Sequence, residues 1–294
     1  MKKQKPIIVG IDFSASSPFV LRQATHIGSL DGSCVIAGHV LNSSSLSHWA
    51  SGEDKSRAYD ALVEQAKTRM KQMVKAEAPD SHVVSEVCIG RPAEELSRMV
   101  REWDASLLII AANDMTKKRM GSIASRCVRS VTTDVLIVRN CPSGNYKKMI
   151  VCTDLSAASE RVIERAIEVA EANNAALELV HVIYPPEQDY WGESIDDGGD
   201  DLSSYSERVR KKTKEKMALS LASFAQRLEN LEHTSVILES TVPSVDLTYH
   251  IKESGADLAV LGTRVHSKLA SIFVGTNAER LLHDAPVSVL AVRH

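Results

Sequence analysis

The chain has 294 residues, enough for one large domain or two ordinary ones of about 150 each. With 44% hydrophobic and 25% charged residues and a formal net charge of -3, its composition is that of a soluble globular protein and gives no basis for nucleic-acid affinity. No apolar run approaches the ~18 to 20 residues of a membrane span, and Met1-Lys-Lys-Gln-Lys-Pro6 leads directly into a short strand-like run rather than a signal-peptide core. A cytoplasmic protein without membrane or nucleic-acid partners is therefore expected.

In chain order, the first element is the apolar run at the head of Ile7-Ile-Val-Gly-Ile-Asp-Phe-Ser-Ala-Ser-Ser17, a strand ending in Asp-x-Ser. Ser14 stands where an N-cap would open a helix with apolar spacing near 3.6. A second strand closes on Gly38-His-Val-Leu41. A long helix, a third strand over 83–89, a helix, a fourth strand over 107–111, another helix and the strand Asp134-Val-Leu-Ile-Val-Arg139 follow.

The same order then repeats. The opening segment recurs as Met149-Ile-Val-Cys-Thr-Asp-Leu-Ser-Ala-Ala-Ser159, matching Asp12 with Asp154 and Ser14 with Ser156. Val180-His-Val-Ile183 ends the second strand, making His39 and His181 equivalent. Third and fourth strands are expected over 236–238 and 258–262, and Ser288-Val-Leu-Ala-Val-Arg293 forms the last. The second copy is the longer, mainly in the loop after Tyr184. Its long helix opens with the capping-box pattern Ser204-Tyr-Ser-Glu207 and carries Met217, Leu221, Phe224, Leu228 and Leu231 on one stripe.

The fourth strands are nearly all aliphatic, as expected where helices cover both faces of a parallel sheet. Strands alternating with helices predict two tandem doubly wound α/β domains, 1–143 and 144–294, each a Rossmann-like parallel sheet of five strands. In such sheets ligands sit beyond the carboxyl ends of the strands, where the strand order reverses.

That rule directs attention to the segments after strands one and four. In the second copy Gly262-Thr-Arg-Val265 is followed, nine residues on, by Gly275-Thr276-Asn277 at the start of the last helix. Glycines let backbone approach a phosphate, Thr276 offers a hydroxyl, and the helix N-terminus favours an anion. Asp154 would lie across the same crevice, able to accept hydrogen bonds from an adenine or ribose edge. The same glycines also serve as ordinary loop punctuation, and the residues alone leave both readings open.

Asp-x-Ser after strand one, His-Val-Ile closing strand two, this glycine-bounded loop, the Gly90-Arg-Pro92 turn and Asp104-Ala-Ser-Leu-Leu108 together resemble the universal stress protein family, over essentially the whole chain and in tandem form. Nucleotide-binding members of that family carry G-x-x-G-x9-G-S/T. The spacing is intact here, with Val265 in place of the second glycine. The resemblance implies an adenine nucleotide, ATP or AMP with or without Mg2+, lined by Thr153, Asp154, Val182, Leu261, Gly262, Arg264, Val265, Gly275, Thr276 and Asn277. The first copy ends its fourth strand in Ile109-Ile-Ala-Ala-Asn113 and has a shorter loop to Gly121-Ser122, so it is not expected to bind ATP through the family's loop.

The resemblance further implies pairing of the two C-terminal strands into an intrachain pseudo-dimer, with homodimerisation of whole chains. The expected role is a non-catalytic stress regulator that senses nucleotide in the second domain. The alternative is a tandem scaffold that has lost nucleotide and acts through protein partners or another small ligand. No general base or water-positioning residue is placed beyond Asp154, so slow ATP hydrolysis is the most expected by way of catalysis.

Other signals carry little chemistry. Thr25-His-Ile-Gly-Ser29 and Lys216-Met-Ala-Leu-Ser220 look like pieces of nucleotidyl-transferase motifs but fall inside predicted helices. His39 and His181 are expected to bond neighbouring carbonyls. The histidines and cysteines show no metal-ligand spacing, and no G-x-S-x-G elbow marks a nucleophile. Of the five cysteines, Cys34, Cys88, Cys127 and Cys152 lie in apolar runs and Cys141 does not, which suggests buried free thiols. The acidic loop over 185–201 precedes a basic helix start at Arg208, Arg210, Lys211, Lys212 and Lys214.

Overall fold

In the computed structural model the described residues are 4–43, 53–112, 120–139, 145–185, 202–265, 272–273 and 276–294. Two compact units divide the chain: Met1–Gly144 with Val265–Val274 and Ser288–Arg293, and Asn145–Arg264 with Gly275–Val287 and His294.

The first unit is a doubly wound sheet. Strands β1 (Ile7–Gly10), β2 (Val35–Asn42), β3 (Val83–Gly90), β4 (Leu107–Ala111) and β5 (Asp134–Val138) alternate with helices α1 (Ser17–Asp31), α2 (Glu53–Glu77), α3 (Pro92–Glu102) and α4 (Ser122–Ser130). The order is β3-β2-β1-β4-β5 with parallel neighbours, for example Ile7↔Val35 and Ile7↔Leu107. The last strand of the chain, β11 (Ser288–Arg293), adds to β5 in antiparallel register, Leu290 opposite Leu136.

The second unit repeats the plan. Strands β6 (Lys148–Thr153), β7 (Ala176–Ile183), β8 (His233–Glu239) and β9 (Leu258–Val265) run parallel in the order β9-β6-β7-β8. Helices α5 (Ser159–Asn173), α6 (Leu202–Ala222), α7 (Ala225–Leu228), α8 (Pro243–Glu253) and α9 (Thr276–Asp284) belong to it, and a short strand β10 (Ile272–Phe273) lies between β9 and α9 in sequence.

The reason for this fold is legible in burial. Ile8, Val9, Ile36, Leu108 and Ile109 in the first unit, and Ile150, Val151, Val180, Ala259 and Val260 in the second, are fully buried. Covered on both faces, such strands read as unbroken aliphatic runs, and each large side chain taken from water contributes about 1.5–3 kcal/mol. Helix α1 buries Val20, Leu21, Ala24 and Gly28. A Cβ on Gly28 would stand 2.8 Å from the Ser33 carbonyl, so this glycine inside a helix is there for packing, and His26 and Gly28 form no nucleotide motif.

Three local expectations are corrected. Ser14 and Ser156 are not helix N-caps: α1 and α5 begin three residues later, capped in sequence by Ser16 and Ala158 without a side-chain cap bond. The competing principle is the Asx turn, since Asp12 and Asp154 take the amide of the serine two residues on. Helix α6 begins at Leu202, ahead of the Ser204–Glu207 capping pattern, and ends at Ala222, so Met217 lies on it while Phe224, Leu228 and Leu231 bury themselves from the turn and α7 beyond. Cys34 is exposed rather than buried. Cys127 is buried, whereas Cys88 and Cys152 are half-buried; burial pushes the Cys127 and Cys152 thiols up to about 12 and Cys88 up to about 11. Cys141 and most of the acidic loop lie outside the described residues.

Candidate functional site at the strand ends

Each unit has a reversal of strand order at its first strand. In the second unit β6 pairs with β7 on one side and β9 on the other, with Cys152 opposite Leu261. The chain leaves β6 and β9 into different helices, so a crevice opens beyond their carboxyl ends. The register sets Thr153 and Asp154 next to Gly262 and Thr263.

Thr153 is buried and turned inward: its hydroxyl accepts the Leu155 amide (3.0 Å), and its carbonyl accepts His181 Nδ1–H (2.8 Å). Asp154 follows, with Oδ1 accepting the Ser156 amide (3.0 Å) and the Ser159 hydroxyl (2.6 Å). Leu155 is forced to φ 55°, a left-handed conformation costly for a branched residue and found where a backbone is held against its preference. The result is a carboxylate locked at the head of α5.

Of the residues expected to line a nucleotide, Thr153, Asp154, Val182, Leu261 and Gly262 thus come together at the ends of three adjacent strands. Arg264 and Val265 close β9, and Thr276 opens α9; only their backbone is described. Asn277 is exposed on the first turn of α9, and Gly275 lies outside the described residues. Gly262 has a packing role of its own. A Cβ there would fall 2.5 Å from His294 Cε1 and 2.9 Å from Val162 Cγ2.

The first unit reproduces the arrangement. Asp12 Oδ1 accepts the Ser14 amide (2.9 Å) and the Ser17 hydroxyl (2.8 Å), and Phe13 sits at φ 60°. Partial burial works against the Asp12 carboxylate, but the bonds from Ser14 and Ser17 outweigh it and hold its pKa below the usual range. His39 donates Nδ1–H to the Ile11 carbonyl (2.7 Å), as expected of both histidines; the carbonyl can only accept, which fixes the tautomer. Its ring lies 4.3 Å from that of Phe13, over which Arg69 stacks at 4.5 Å. Burial above all lowers the His39 pKa, with Arg69 adding to it against the Ile11 bond and Asp12.

Beside Asp12, and not anticipated from the motifs, lies a cavity of about 470 Å³ at the ends of β1, β2 and β4. Gly10 and Gly38 form part of its floor, and Pro92, Leu96, Ile110 and Ile123 its apolar walls. The available signal was two glycines inside otherwise aliphatic buried strands, which mark close approach. Their counterparts in the second copy are Cys152 and Val180.

The universal stress protein family profile matches this chain twice, over residues 4–139 and 145–293. The chain belongs to the universal stress protein family. Among relatives of this universal stress protein, universal stress protein A homolog 1 of Coxiella burnetii is 31% identical over 148 residues, 50% of this chain and 96% of its own length. A universal stress protein of Thermus aquaticus is 30% identical over 148 residues, again half of this chain and 99% of its own length. A universal stress protein of Archaeoglobus fulgidus, solved by crystallography, is similar in fold over 99% of both chains, with a TM-score of 0.69 at 18% identity. The tandem α/β architecture of the family is therefore that of this chain. Among the described residues no helix is long and apolar enough to cross a membrane.

Proposed function

We propose that this tandem universal stress protein is a non-catalytic regulator that binds an adenine nucleotide, ATP or AMP, in its second repeat. The observation that carries the reading is the Asp154 carboxylate, clamped by Ser156 and Ser159 at the point where β6 parts from β9, beside Gly262. A carboxylate fixed in that way accepts hydrogen bonds from a base or ribose without an ordering cost at binding. The loop spacing from Gly262 to Gly275-Thr276 and the helix N-terminus at α9 offer donors for the phosphates. Among the described residues no general base accompanies them, and the role proposed is sensing rather than turnover.

The second reading, a scaffold without nucleotide, rests on Gly262. Its contact with His294 and Val162 accounts for the glycine without any phosphate, and Val265 departs from the family's loop. Calorimetric titration of the full chain with ATP and AMP separates the two. Saturable binding that weakens about tenfold or more in Asp154→Ala is the expected result. No heat at millimolar nucleotide would leave the scaffold.

A further inference from the structure

We propose that the cavity of the first unit binds a compact small molecule that is apolar over most of its surface and carries no phosphate. The site is distinct from the second repeat, and the inference does not depend on nucleotide binding there.

Three observations carry it. The cavity, about 470 Å³, is of the size that small-molecule pockets occupy, and its walls are Pro92, Leu96, Ile110 and Ile123 over the bare backbone of Gly10 and Gly38. The glycines are closely covered: a Cβ on Gly10 would meet Ile110 Cγ2 at 3.0 Å and one on Gly38 would meet Met99 Sδ at 2.7 Å. The floor is thus backbone and apolar side chain pressed together, and the polar part of the lining, Asp12, His39, Asn42 and Ser122, brings a carboxylate and, among the described residues, no Lys or Arg to meet an anion.

Second, Ile123 remains 44% exposed on the first turn of α4 while lining the cavity. The matching residue of the second repeat is Asn277. An apolar side chain at the mouth of an apolar cavity gains by a ligand that covers it and gives nothing to a phosphate.

Third, one backbone donor at the start of α4, that of Gly121, is already used. Gly121 N–H donates to the Ala112 carbonyl at 2.7 Å, drawing the helix start onto the end of β4. Ala111 and Ala112 supply no glycine there. A phosphate would be left with the amides of Ser122 and Ile123 and would face the Asp12 carboxylate in the same lining, whereas an apolar ligand leaves the Gly121 bond intact and meets neither demand.

The test uses N-phenyl-1-naphthylamine, a neutral apolar probe whose fluorescence rises on leaving water, titrated into the full chain. Saturable binding is expected, weakened at least about tenfold by Ala111→Leu, which fills the cavity, and by Ile123→Glu, which charges its mouth. Millimolar ATP or adenosine should not displace the probe. Thermal melting reports whether each variant folds, and Ile123→Glu, at an exposed position, decides if Ala111→Leu does not. Absence of saturable binding, binding untouched by Ile123→Glu, or displacement by adenosine or ATP overturns the proposal.

Discussion

His39 is a buried neutral side chain whose chemistry can be followed by pH. Its folded pKa is lowered below the ordinary value near 6.5, chiefly by burial, so the unfolded chain takes up a proton that the folded one resists. Its contribution to stability is therefore present above about pH 6.5 and declines as pH falls from there toward the lowered folded value. His39→Gln should flatten denaturant-measured stability between pH 7 and pH 5 relative to the parent; an unchanged slope contradicts the reading. Asp12 is depressed as well, and its contribution is lost only at lower pH, as the medium falls through the carboxylate range, so the two effects separate. The histidine bond to a carbonyl was legible from its place at a strand end. The Asp-to-serine clamps were not, because Asp-x-Ser is equally the signature of a serine N-cap, and only the backbone at Phe13 and Leu155 decides between them.

At the scale of elements, glycine and arginine show how one strand or helix end is fitted to its neighbour. Gly262→Ala places a methyl where His294 and Val162 already lie, and overpacking of that kind costs about 1–3 kcal/mol. Chemical denaturation should show that loss whether or not nucleotide is present, and an unperturbed midpoint would mean that the glycine serves a ligand alone. Arg293 on β11 is buried, and burial lowers its pKa to about 10. Its guanidinium donates to the Val128 carbonyl and, at 3.0 Å, to the Val131 carbonyl at the end of α4, while its amide donates to Asp134 (2.9 Å). Arg293→Met strips two carbonyls of a donor, and a loss of about 2 kcal/mol is expected in the same assay; no change would assign the arginine to strand pairing only. Strand positions were readable as aliphatic runs. Helix ends were less so: the Ser204–Glu207 pattern lies within α6, because propensity for a cap yields when the chain before it is also helical.

For the molecule as a whole, the duplication, the α/β alternation and the family could be read directly, since Met149–Ser159 repeats Ile7–Ser17 and buried parallel strands leave an unmistakable aliphatic signature. What separates the repeats could not. Gly10 and Gly38 against Cys152 and Val180, and Ile123 against Asn277, are single substitutions whose effect emerges only when three strand ends and two helices enclose a volume. The two repeats accordingly share one fold, and the two proposals assign them different ligands. The stoichiometry of ATP binding, measured by calorimetry on the full chain, tests this most directly. One equivalent per chain, lost in Asp154→Ala and retained in Asp12→Ala, is expected. Two equivalents, or a single one that disappears with Asp12 instead, would contradict it.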